Sequence, residues 1–378
     1  MKVLMQSRLD LFDRRGGDTI QVEKTAEQLR KLGIEVDIDC SANPDLSSYD
    51  LVHIFNIDWP AQVYLQAQNA KRQNKPIVFS PIHHSFAEIE RYEGEARYGF
   101  RRLLNVVLRS RESRELFKDS GRMLVDPRKI PSTLVEFQKG QLREQRELLE
   151  MSDLILVQTD AERKDIRKDF GFTNQNFKKI VNGVDSRFAT ASPDWFMDRY
   201  DLSDFILCVG RIEPRKNQIA VAKAVLGLKS QLPNSKLVFV GRISWRHPEY
   251  ALRFLILVHR YSWIYHIPQI PYERVGSCYA AAKVHVLASW FETTGLVNLE
   301  AALAGVNVVA TGERAREYLK NFAYYCDPGN IGSIVEAISK AWKNPSSPEL
   351  RDHILKNYTW KVVGKQTLAA YSEVLNGS

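Results

Sequence analysis

Residues 292–312 read ETTGLVNLEAALAGVNVVATG. Two carboxylates, Glu292 and Glu300, enclose seven residues that include Gly295, and an apolar run follows the second. The pattern puts Glu292 on a loop, Glu300 in the first turns of a helix, and the β-branched residues near Val306–Ala310 on a buried strand. Loop, helix and buried strand in this order are the repeating unit of a parallel sheet covered by helices. At such a helix start the backbone N–H groups of Thr294, Gly295 and Leu296 have no intrahelical partner. They attract anions, phosphate above all. Carboxylates accept hydrogen bonds from sugar hydroxyls, so acids on either side of a phosphate cradle suit a nucleotide-sugar.

The same alternation extends through the chain. Val3–Met5, Leu51–Phe55, Ile77–Phe79 and Leu154–Val157 read as buried strands, separated by helical spacing over Thr19–Leu32, Ala61–Arg72 and Ser132–Glu150. A second series has strands at Phe205–Val209, Lys236–Val240, Val284–Leu287 and Val306–Ala310. Its helices fall near Gln218–Gln231, Arg274–Ala281, Leu299–Ala304 and Ile331–Trp342. Two series predict an α/β protein of two Rossmann-like domains. The weakly periodic stretch between Val184 and Asp204 marks the boundary, which gives an N-terminal domain at 1–190 and a C-terminal domain at 200–358. A last helix within 359–378 is expected to pack back on the first domain, which would bury its apolar face.

A chain of 378 residues accommodates two cores, and 44% hydrophobic with 26% charged residues is ordinary for a soluble globular enzyme. No apolar run approaches the ~20 residues that span a bilayer, and the opening MKVLMQSRLDLF reads as a first strand rather than a signal peptide. Cys40, Cys208, Cys278 and Cys326 lack metal-ligand spacing and suit a reducing cytoplasm. The net charge of +8 is uneven: residues 97–129 hold ten Lys/Arg against four Asp/Glu. Arginines there alternate with apolar residues, as in a basic amphipathic helix. Such a helix rests on anionic lipid or binds an anionic acceptor, which would make the protein peripheral on the inner membrane face. No base-stacking module or zinc signature points to nucleic acid.

The second chemistry-bearing stretch is FILCVGRIEPRKNQ, Phe205–Gln218. A strand ends at Gly210, and Arg211 and Lys216 follow on a loop stiffened by Pro214. Both cations can reach the space beyond the strand's carboxyl end, where open α/β sheets bind ligands. In isolation the pair reads as a surface ion pair with Glu213. Combined with residues 292–312, it resembles the donor-binding core of retaining glycosyltransferases of family four, which have the GT-B fold. That family carries VGR and a following Lys, then E-x-F-G-[LV]-x-x-x-E-A-x-A-x-G-x-P-V-V-A. SDLILVQTDAER at 152–163, KIVNGVDSRF at 179–188 and TWKVVGKQTLAAYSEVL at 359–375 extend the likeness over most of the chain.

The resemblance implies two Rossmann-like domains whose parallel sheets face a cleft. It implies that Arg211 and Lys216 hold the donor diphosphate, Glu300 the ribose hydroxyls and Glu292 the sugar hydroxyls. The N–H groups of Thr294, Gly295 and Leu296 would contact sugar and phosphate, and the base would lie near Gly241, Arg242 and Ile267–Ile270. Three residues depart from the pattern: Thr294 stands for an aromatic, Asn217 for a glycine, and Asn307 for a proline. Asn217 suits a glycine position if its φ is left-handed.

In the first domain Gly16 and Gly17 open a helix after strand one, where backbone N–H groups can approach the donor. His83 and His84 end the strand Ile77–Phe79, a place where the resemblance puts a histidine facing the sugar. His83 is taken as the catalytic hydrogen-bond donor and His84 as a donor-binding residue. Asp37–Asp39, DID, looks like a metal-binding string of another glycosyltransferase fold, but its alternation reads as a half-exposed strand, so no metal or other cofactor is expected. Trp245, Trp263 and Tyr265 are candidates for the base or sugar pocket, or for core packing.

The expected activity is a cytoplasmic, metal-independent retaining transfer from a UDP- or GDP-linked sugar to a hydroxyl acceptor, with lipid-linked and anionic acceptors as candidates, in cell-envelope glycan or glycolipid assembly. A nucleotide-sugar epimerase or hydrolase of the same fold, and a non-catalytic nucleotide-sugar-binding subunit, are the alternatives.

Overall fold

A computed structural model of the chain describes residues 1–96, 140–173 and 176–377. The basic stretch at 97–129 and the expected start of a helix at Ser132 lie outside the described residues. The chain forms two compact units. The first takes Met1–Phe86, the described residues up to Gly183, and the chain from Trp360 onward; the second takes residues 87–96 of those described and Val184–Thr359.

The first unit contains β1 (Lys2–Gln6), β2 (Glu35–Ile38), β3 (Leu51–Phe55), β4 (Ile77–Ser80), β5 (Leu154–Val157) and β6 (Phe177–Lys179). They form a parallel sheet in the order β2-β1-β3-β4-β5-β6. Every residue of β3 and β4 is buried, the pattern of a strand covered on both faces. The polar edge strands β2 and β6 lacked that continuous apolar signal. The terminal helix Trp360–Asn376 packs on the helix Gly17–Lys31. The Tyr371 hydroxyl lies 2.6 Å from Nδ1 of the buried His53, and a Cβ at Gly364 would stand 2.6 Å from Cβ of Gln28.

The second unit contains β7 (Phe205–Val209), β8 (Leu237–Val240), β9 (Ile264–Ile267), β10 (Ala282–Val286), β11 (Asn307–Ala310) and β12 (Tyr324–Tyr325). Its parallel order is β12-β11-β10-β7-β8-β9. Chain order reverses between β7 and β10, so the loops leaving these neighbours run in opposite directions and open a crevice at their carboxyl ends. Asn307, in the proline position, donates to the carbonyls of Ala341 at 2.8 Å and Asn344 at 2.9 Å. It thereby ties β11 to the end of the helix Ile331–Lys343.

Residues 87–96 and 184–190, expected in a first domain at 1–190, belong with the second unit. The helix Phe86–Glu95 sets the Tyr92 ring 5.6 Å from that of Phe291 and pairs Arg91 with Asp327 at 2.7 Å. Val184 pairs with Thr359, and the stretch read as weakly periodic holds the helix Asp194–Tyr200, anchored by buried Phe196. The helix Pro248–Arg260 was not among the helices read from the sequence. No described helix is long and apolar enough to cross a membrane. Cys208, Cys278 and Cys326 are buried free thiols.

Candidate active site

The carboxyl ends of β7 and β10 carry the residues singled out from sequence. After β7 the chain passes Gly210 and Gly241 comes alongside it, because a Cβ at Gly241 would lie 2.1 Å from the Gly210 oxygen. This contact lets the loops after β7 and β8 leave together, and Ile212 pairs with Ile243. A 3-10 turn over Pro214–Lys216 then ends at Asn217, whose φ of 60° is left-handed. The glycine position therefore suits an Asn, which tolerates that region better than other side chains.

The turn aims Lys216 and Arg215 at Glu292. The Lys216 ammonium donates to Glu292 Oε1, and the Arg215 guanidinium lies 3.4 Å from Oε2. Arg215 also reaches Glu213 at 3.3 Å and the Phe291 carbonyl at 3.3 Å. Burial would raise the Glu292 carboxyl, but Lys216 and Arg215 outweigh it and hold the group at about 2. Burial pulls the Lys216 ammonium down from its usual range, with Glu292 opposing. The result is a largely buried cluster of two cations and two acids, neutral in sum and held in one geometry.

Arg211, paired with Lys216 in the sequence reading, takes a different position. Its side chain is 50% exposed, and Glu213 lies 3.9 Å away. Arg215 is the residue that reading missed. Its only sequence signal was its place beside Lys216 in EPRKN.

Thr294, Gly295 and Leu296 lead into the helix Leu296–Leu303. Gly295 has φ 66°, and a Cβ there would press on Leu287 and Asn298 at 3.2 Å. Thr294 is buried where the family pattern has an aromatic. A small pocket of mixed polar and apolar lining adjoins this loop, its walls including Glu88, Trp290, Glu292, Thr294, Asn298 and Tyr318.

Glu300 accepts a hydrogen bond from the buried Tyr279 hydroxyl at 2.8 Å, a partner with no local sequence signal. Burial lifts its carboxyl from 4.5 to about 7. Below about pH 4.5 the group is protonated whether folded or unfolded. As pH rises toward 7 the unfolded chain ionises first, and the folded state loses relative stability. Glu300→Gln removes that loss. Its melting temperature relative to wild type is expected to climb between about pH 5 and about pH 8; a flat difference in thermal melts would show an ordinary carboxyl.

In the first unit His83 is enclosed. Its side chain is 1% exposed, with Nε2 bonded to Asp169 at 2.8 Å and the ring packed between Phe86 and Phe170. This packing leaves the His83 ring little exposed surface. His84 keeps an 18% exposed side chain, 3.0 Å from Asp58. Gly16 precedes the helix Gly17–Lys31, and the space a Cβ at Gly17 would occupy is open to 4 Å. The Asp18 carboxylate accepts the Thr19 N–H at 2.9 Å and is held by Arg8 at 2.7 Å. An acid already in place makes this helix start less suited to a diphosphate than the one at Leu296.

Arg242 bonds Gln269 at 3.1 Å, and His266 Nε2 lies 2.9 Å from the Gly241 carbonyl. Trp263 precedes β9 at the amino edge of the sheet, under the Lys229 ammonium at 4.5 Å, so it is packing rather than pocket lining. Asp37 pairs with Lys2 at 3.5 Å and with the Tyr49 hydroxyl at 2.9 Å. Among the described residues no group of three His, Cys, Asp or Glu could hold a metal ion.

The fold matches sucrose-phosphate synthase of Thermosynechococcus elongatus with a TM-score of 0.72 at 16% identity, over 100% of both chains. It matches Anabaena HepE, solved with UDP, with a TM-score of 0.71 at 15% identity, over 99% of this chain and 100% of that one. The fold is GT-B. In sequence the chain is 25% identical to O-antigen chain mannosyltransferase B of Escherichia coli over 257 residues, 65% of this chain and 66% of the relative. It is 27% identical to a D-inositol 3-phosphate glycosyltransferase of Nocardiopsis dassonvillei over 183 residues, 46% and 43%. The chain thus matches just under two thirds of the first relative's length and less than half of the second's. The family described as Glycosyl transferases group 1 matches residues 198–359. That matched segment contains β7 to β12 together with Lys216, Glu292 and Glu300.

Proposed function

We propose that the protein is a retaining glycosyltransferase that moves a sugar from a nucleoside-diphosphate donor to a hydroxyl acceptor without a metal ion. The observation that carries this reading is the buried Lys216–Arg215–Glu292 cluster beside the Leu296 helix start, at the switch point of the second sheet. The cations face a leaving group that gains negative charge as the anomeric bond breaks, and such preset charges lower the barrier without reorganising. Glu292 receives the sugar hydroxyls and Glu300 the ribose. The departing diphosphate oxygen takes the acceptor proton, and the new bond forms on the face the diphosphate left.

HepE structures hold UDP, and the E. coli relative is named a mannosyltransferase, so both UDP- and GDP-linked donors are to be tried. The E. coli name also supports an acceptor in cell-envelope glycan assembly. A thermal-shift screen over UDP- and GDP-sugars tests the reading first. Donor at 100 times its dissociation constant adds ~2.7 kcal/mol of stability. The stabilising donor then goes to transfer assays with chelator present, with the anomeric configuration of the product read by NMR. A product of retained configuration is expected. Inverted product, free sugar or an epimer, or activity abolished by chelator would each overturn the corresponding part.

A further inference from the structure

The helix Pro248–Arg260 has an inner and an outer apolar side. Tyr250, Ala251 and Phe254 are buried in the second unit's core, with Leu257 and Val258 packed against it. On the outside, Leu252 is 55% exposed, Leu255 36% and Ile256 63%, and Trp245 just before the helix is 62% exposed. These four are a cluster: thirteen large hydrophobic residues are exposed among those described, and no other stretch of twelve residues holds as many. A helix that is apolar on both sides is normally enclosed, and here the outer side meets solvent.

We infer that this outer face docks on an anionic lipid bilayer. The charges around it favour that occupant over a second protein surface. From Arg242 to Arg260 the chain carries four arginines and two histidines against one acid, Glu249, which is paired with Arg253 at 2.8 Å. Leu252, Ile256 and Arg260 follow each other at helical spacing of four, as do Leu255 and His259. The apolar stripe therefore ends at Arg260 on its carboxyl side, while Trp245 lies between Arg242 and Arg246 at the other end. Leucine and isoleucine inserted at the acyl boundary, tryptophan at headgroup level and arginine on lipid phosphate form one interfacial device. The core of a protein–protein interface, by contrast, is depleted of charge. The proposal does not require the transferase reading, since its readout is lipid binding.

The experiment is co-sedimentation of the whole protein with phosphatidylcholine vesicles and with mixed phosphatidylcholine–phosphatidylglycerol vesicles. Wild type is expected to bind the mixed vesicles and to bind neutral ones far less. Leu252→Ser with Ile256→Ser, and separately Trp245→Ala, should lower the partition coefficient roughly tenfold or more for the pair. These residues are exposed, so unchanged thermal melts should accompany the loss. The basic stretch at 97–129 is intact in every variant. Equal binding by wild type and the paired variant would assign lipid contact elsewhere and overturn the proposal. So would failure of the wild type to bind either vesicle. A dimer abolished by the same pair, seen by light scattering without vesicle binding, would make the face an interface between copies and overturn it too.

Discussion

Lys216→Ala lowers turnover at saturating donor by about 100-fold or more, the usual loss when a preset charge on a developing anion is removed. Lys216 is suited to that role because its position is held before any ligand arrives. The ammonium is buried to 13% exposure and bonded to Glu292, and Asn217 turns the chain behind it. A flexible surface lysine would have to be ordered at the moment of reaction. The substitution has a second consequence. Glu292 is left with Arg215 at 3.4 Å as its remaining cation, and breaking a buried pair costs about 3–5 kcal/mol.

The pH dependence separates the two effects. Held at about 2, Glu292 contributes stability that is fully present above about pH 4.5 and is lost as pH falls through 2. The variant should lack most of that acid-dependent loss while showing low turnover at every pH where it is folded. Rapid-quench kinetics on folded Lys216→Ala, checked by circular dichroism, decides the matter; wild-type turnover would remove the diphosphate role.

Gly241→Ala should destabilise the second unit by about 3–5 kcal/mol, at the upper end of single substitutions. The added Cβ would stand 2.1 Å from the Gly210 oxygen and 2.6 Å from its carbonyl carbon. Both are backbone atoms of a neighbouring strand end, so no rotamer change gives way. The φ of 150° adds strain of its own. Because this contact brings together the loops that carry Arg211, Lys216 and Arg242, donor affinity should fall along with stability. Gly17→Ala is the control. A Cβ there meets nothing within 4 Å, so its urea midpoint should match or slightly exceed wild type. Equal midpoints for the two variants would show that the close approach of β7 and β8 is not as described.

Strands that are apolar along all or nearly all of their length, with His53 the one polar residue of β3, were legible from sequence. Leu51–Phe55, Leu154–Val157 and Phe205–Val209 were read with the bounds they have in the structure. Strands covered on both faces carry an unbroken apolar run, which is a local signal. Short or polar edge strands such as β6 and β12 carry none.

At the site, the segments that hold chemistry were legible because their information is also local. A glycine at a strand end, a left-handed turn and a helix start are each written in a few adjacent residues. Which side chains meet was not. Glu292 is 76 residues from Lys216 and 77 from Arg215, and Tyr279 meets Glu300 across the strand β10 and a loop. His83 and His84 are neighbours in sequence, yet one is sealed against Asp169 and the other is partly exposed. Sequence alone therefore determined the α/β alternation and the loops where a phosphate-bearing ligand could be held. The order of the sheet decided that Arg215 rather than Arg211 joins Lys216 on Glu292, and that His83 is enclosed. The physical reason is range: backbone preferences act over a few residues, whereas pairing and burial depend on which strand lies beside which.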